Sequence, residues 1–148
     1  MQRREFIKGT ILATAVLAAD KVFAGKYDSP GSTTLNQLTN RESPSVLEQK
    51  HVPSLEVPKK VEAGSWFDVK VKVGFMQEHP STPGHWITEI KLLVNGTEVA
   101  NTDYKKGGTT SSFASFRIRL EKASTIEAVE HCNLHGTWIS DAVKVEVG

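Results

Sequence analysis

"WITEIKLLVNGTEVA", Trp86 to Ala100, decides the fold. Two runs rich in apolar and β-branched residues flank Asn95-Gly96, and that dipeptide in such a setting is a strong signal for a two-residue hairpin. Upstream, "WFDVKVKVG" (Trp66–Gly74) alternates Phe67, Val69, Val71 and Val73 with Asp68, Lys70 and Lys72, the period of a half-buried strand. Downstream, "SSFASFRIRLE" (Ser111–Glu121), "TIEAVEHC" (Thr125–Cys132) and "SDAVKVEVG" (Ser140–Gly148) continue the alternation. With "HVPSLEVP" (His51–Pro58) this makes about seven short strands, with turn signals about every 8–12 residues. The reading is an all-β fold, an antiparallel sandwich of immunoglobulin type. No helical periodicity is found beyond the first residues, and no internal repeat.

The chain has 148 residues, 39% hydrophobic and 24% charged, which suits one globular domain with an appendage. A formal charge of +1 and the lack of any Lys/Arg-rich run argue against a nucleic-acid partner. Residues 1–24 read as a targeting segment. "QRREFIKG" (Gln2–Gly9) is basic, "TILATAVLAA" (Thr10–Ala19) is a short apolar run, and "VFA" (Val22–Ala24) offers small residues before a cleavage point. Arg3-Arg4-x-Phe6-Ile7-Lys8 resembles a twin-arginine export signal, implying a periplasmic protein carried across already folded. Cleavage after Ala24 leaves 14 basic and 15 acidic residues and no stretch long and apolar enough to span a membrane. Residues 25–47, rich in Ser, Thr, Asn, Pro and Gly, read as a flexible arm, and residues 48–148 as the functional domain.

The single cysteine, Cys132, cannot form an internal disulfide, although an exported protein is free to use them. It lies in "EHCNLHGTW" (Glu130–Trp138), between His131 and His135. "EHPSTPGHW" (Glu78–Trp86) holds His79 and His85 around two prolines and a glycine, and His51 opens the first strand after the arm. Any one of these side chains is more often a solvated or packed residue than a ligand. Taken together, four histidines and the only thiol fall in three loops that a sandwich can bring together. Imidazole suits iron, copper, zinc and nickel, whereas thiolate favours zinc, copper(I) or iron. Five such donors exceed a tetrahedral set and leave one octahedral position open. A blue-copper site also joins His and Cys on a β-sandwich, but it adds an axial methionine soon after the second histidine. The methionines here are Met1 and Met76, so an electron carrier of that kind is the weaker alternative.

"KHVP" (Lys50–Pro53), "HPSTPGHW" (His79–Trp86) and "CNLHGTW" (Cys132–Trp138), in this order, resemble the signature segments of the superoxide reductases. The likeness is to the single-iron, neelaredoxin-type class, related to the iron-binding domain of desulfoferrodoxin, and covers residues 47–148. It implies a mononuclear non-haem iron, one per chain and cycling between Fe2+ and Fe3+. Four imidazoles would bind it in a plane (His51, His79, His85 and His135), with Cys132 as the axial thiolate; His131 matches no ligand. The implied reaction is one-electron reduction of superoxide to hydrogen peroxide, with a rubredoxin- or cytochrome-like protein as electron donor. A homo-oligomer stays open. Lys50 matches the family lysine that draws in the anion. Many members carry glutamate where this chain has Gln49, and Glu48 stands one residue earlier. The resemblance thus leaves Glu48, Gln49 or water as the occupant of the sixth position on oxidised iron.

Overall fold

The structure, a computed structural model, describes residues 35–148. The targeting segment read over residues 1–24 and the start of the arm lie outside them. Ten strands and one short helix follow in chain order: β1 (Leu35–Asn36), α1 (Val46–His51), β2 (Pro53–Glu56), β3 (Lys60–Val61), β4 (Phe67–Val73), β5 (Ile87–Val94), β6 (Thr97–Asp103), β7 (Phe113–Ile118), β8 (Ser124–Cys132), β9 (Gly136–Ile139) and β10 (Val143–Val147). No helix among the described residues is long and apolar enough to cross a membrane.

The expected sandwich is borne out. One sheet has the order β2-β4-β7, all antiparallel. In the other, β8 is central: β5 and then β6 lie on one side, β9 and β10 on the other, with β1 and β3 added in parallel at the ends. The alternation in β4 has the predicted sense, with Val69, Val71 and Val73 fully buried and Asp68, Lys70 and Lys72 exposed. Across the layer they join Ile90, Leu92, Ile126, Ala128 and Cys132 in one core. Each such aliphatic side chain contributes about 1.5–3 kcal/mol by leaving water. Asn95 and Gly96 have φ of 51° and 81°, both left-handed, as a type I′ hairpin between β5 and β6 requires.

Two local expectations are corrected. His51 does not open a strand but ends α1, a helix of six residues. Ser45 caps it by accepting the Glu48 N–H (3.2 Å), and Pro53 stops it by forcing Val52 into an extended conformation. The described part of the arm, residues 35–47, is docked rather than loose. Leu35 is buried against Leu93, Val129 and Ile139, and β1 pairs with β9. Thr39 donates from its N–H (3.3 Å) and hydroxyl (2.9 Å) to the Glu48 carboxylate, and Arg41 pairs with Asp141. Scattered apolar residues in a polar segment sufficed to anchor it.

Candidate metal centre

Three segments converge at one end of the sandwich: the C-terminus of α1, the loop between β4 and β5, and the turn between β8 and β9. His51 is 1% exposed and its Nδ1–H donates to the Leu47 carbonyl at 2.7 Å. His79 is 2% exposed and donates from Nδ1 to the Pro80 carbonyl, also at 2.7 Å. A carbonyl on Nδ1 fixes the tautomer, so Nε2 of each ring carries a lone pair. The Nε2 atoms of His51, His79 and His85 are buried and have no hydrogen-bond partner. Orphaned buried acceptors are rare and costly, and three on neighbouring rings call for one shared partner.

The rings form a closed quadrilateral. Centroid separations are 4.7 Å (His51–His79), 4.6 Å (His79–His85), 5.1 Å (His85–His135) and 4.9 Å (His135–His51). The His51–His85 diagonal is 6.5 Å, close to that of a square with such sides. Donor atoms of His51, His85, Cys132 and His135 all lie within 4.8 Å of one another. His79 lies outside that mutual set and joins through its ring contacts and its unpartnered Nε2. Cys132 Sγ is 3.7 Å from Nδ1 of His135, so this histidine turns Nδ1 toward the sulfur. Gly136, with φ of 83°, makes the reversal that brings His135 back over Cys132. The donor set and its spacing fit one transition-metal ion.

The electrostatics prepare these groups as ligands. Burial pushes the pKa of His51 and of His79 down to about 4, with the other imidazoles and, for His51, Lys50 adding to the effect. His85 is lowered as well, by burial first and then by His135 and Lys50. All three are neutral at pH 7. Burial raises the Cys132 thiol, against the backbone N–H groups of Leu134 and His135 that bond its sulfur. Lys50, predicted beside the site, is half-buried and places its charge where His51 and His85 feel it. His131, which matched no ligand, has its Nδ1 2.9 Å from the Thr137 hydroxyl. Neither residue offered as a sixth-position occupant is free: Glu48 is held by Thr39, while the Gln49 amide donates to the Pro44 carbonyl and accepts from Gln77 (both 3.0 Å).

Three neighbours escaped the sequence reading. Trp138 stacks on His51 with centroids 5.1 Å apart and donates its indole N–H to the His135 carbonyl. Asn133 bonds the loop around His85. Glu130 is 1% exposed with both carboxylate oxygens unpartnered, and burial raises its pKa well above the ordinary carboxylate value. Its signal was visible: Ile126, Ala128, Glu130 and Cys132 share the inward face of β8.

The family model described as Desulfoferrodoxin matches residues 43–141. A superoxide reductase of Thermococcus kodakarensis is 35% identical over 102 residues, covering 61% of this chain and 83% of that protein. A desulfoferrodoxin of Nitratidesulfovibrio vulgaris is 37% identical over 94 residues, 64% of each. Among solved structures, the superoxide reductase (neelaredoxin) from Ignicoccus hospitalis superposes with a TM-score of 0.66 at 26% identity, covering 77% of this chain and 95% of that one.

Proposed function

This chain belongs to the desulfoferrodoxin family, and we propose from that membership and the convergent histidines that it is a superoxide reductase. The observation that carries the reading is the ring of His51, His79, His85 and His135 with Cys132 Sγ beside it. Three unpartnered, neutral Nε2 atoms are donors waiting for a cation. These five residues would hold one iron ion per chain, which would alternate between Fe2+ and Fe3+. Four imidazoles about one centre, with no methionine in the set, suit iron better than the His2Cys trigonal arrangement of blue copper.

When bound there, iron would supply the one electron that, with two protons, converts superoxide to hydrogen peroxide. The protein does the rest. Burial keeps His51 and His79 unprotonated, so they donate lone pairs rather than repel a cation. The N–H groups of Leu134 and His135 orient the Cys132 sulfur and temper its donation. Lys50 attracts the superoxide anion toward the ring of imidazoles. A small redox protein of rubredoxin or cytochrome type returns the electron.

Metal analysis of purified protein with its visible spectrum tests the reading. Near-stoichiometric iron and a sulfur-to-iron absorption band lost in Cys132→Ser support it; a coloured serine variant removes Cys132 from the ligands. We place the protein in the periplasm, on the strength of Arg3-Arg4-x-Phe6-Ile7-Lys8 and the apolar run after it. Replacing both arginines by lysine should strand the precursor in the cytoplasm; unchanged export would refute the twin-arginine route.

A further inference from the structure

We infer that Asn133 is a positioning residue that clasps the chain on both sides of His85 and so fixes that imidazole relative to Cys132. Its backbone N–H donates to the Trp86 carbonyl at 3.2 Å. Its Oδ1 accepts the Trp86 N–H at 2.9 Å, and its Nδ2 donates to the Gly84 carbonyl at 2.9 Å. Three hydrogen bonds from one residue thus bracket His85, and Asn133 itself follows Cys132 in the chain. Among the described residues these are the hydrogen bonds that join loop 80–86 to the turn 132–136.

The sheet cannot do this work alone. The β5–β8 ladder shifts register between Ile87 and Glu89, and its last pair is Ile87 with Cys132. Beyond that last pair the ladder ends, just where His85 and Cys132 must meet. A side-chain amide has the donor and acceptor of a peptide unit, so Asn133 acts as an added rung of the ladder. The other ties of the histidine loop point elsewhere. Ser81 Oγ donates to the Thr110 carbonyl at 2.5 Å and accepts the Gly108 N–H at 3.0 Å, and the Trp86 indole donates to the Tyr104 carbonyl at 2.9 Å. Those bonds hold the loop to the connection after β6. They leave its distance from Cys132 unset.

The amide orientation follows from its partners. A flipped amide would set NH2 against the Trp86 N–H and oxygen against the Gly84 carbonyl. Aspartate has the same shape but no donor, so in Asn133→Asp an oxygen would oppose the Gly84 carbonyl. Asn133 is exposed, so neither that change nor alanine buries a charge or empties a core site.

The inference rests on reading His85 and Cys132 as ligands, and the experiment separates the two. Co(II) is titrated into metal-free protein, with affinity measured against a chelator and the thiolate and d–d bands recorded. Melting of the metal-free proteins is followed in parallel. Asn133→Ala should weaken Co(II) by about 10–100-fold, the range for outer-shell partners of metal ligands, and should displace the d–d bands. Asn133→Asp covers the case in which the alanine variant does not fold, and should weaken Co(II) too. Wild-type affinity in either folded variant overturns the clasp. So does weaker binding with unmoved d–d bands that merely tracks a lower melting temperature. A wild-type protein with no thiolate band overturns the ligand reading itself, and the clasp with it.

Discussion

Trp138 and His51 stack with ring centroids 5.1 Å apart and planes inclined by 21°, although one lies on β9 and the other ends α1. The same indole donates its N–H to the His135 carbonyl at 3.0 Å, so one side chain ties two proposed ligands from different segments. Trp138→Ala should cost about 3–5 kcal/mol of unfolding free energy by loss of the buried ring. Trp138→Phe keeps a stacking ring and loses the hydrogen bond, so it should cost about 1–3 kcal/mol. Denaturant titration distinguishes them; equal costs would mean the stack contributes nothing.

Acid should destabilise the metal-free protein over a defined window. Histidine in the unfolded chain titrates near 6.5, whereas native His51 and His79 titrate at about 4. Between those values the unfolded chain binds more protons, so stability falls as pH drops from 6.5 to about 4 and is flat above 6.5. His51→Gln should flatten part of that slope in melting curves taken across the range. An unchanged slope would mean that His51 protonates freely in the fold.

Metal uptake should release on the order of one proton at pH 7, from the thiol. The buried imidazoles are already neutral, and burial keeps Cys132 protonated until a cation claims it. Titration with Zn(II) in a weakly buffered indicator solution counts the proton. Cys132→Ser should bring the release close to zero, and a serine variant that still releases one would place the proton elsewhere.

Lys50 should govern the encounter rate. Lys50→Ala should slow the second-order reaction with superoxide by about tenfold, within the 10–10³ range for charge-focused association. The wild-type rate should also fall as salt rises. Pulse radiolysis at two ionic strengths measures both; a rate indifferent to substitution and salt would remove Lys50 from the steering.

The sheets were legible because burial in β4 imposes a strict two-residue alternation, and because Asn95-Gly96 can serve little but a tight turn. Helix α1 was not, since six residues give no readable period; only the Ser45-x-x-Glu48 box and Pro53 mark its ends. The docking of Leu35 and the grip of Thr39 on Glu48 depend on surfaces assembled from distant strands, which no local pattern announces. Four histidines and one cysteine could be picked out because their side-chain types carry chemistry. Asn133 and Trp138 stood within the same motif, but their roles lie in hydrogen bonds and stacking visible only once the loops meet.

Peroxide yield tests the central claim most directly. Reduced, iron-loaded protein is mixed with a known amount of superoxide in the presence of excess electron donor, and hydrogen peroxide and dioxygen are both counted. A reductase forms one hydrogen peroxide for each superoxide consumed and evolves no dioxygen. Half that peroxide, with the remaining superoxide recovered as dioxygen, would be dismutation and would contradict the account.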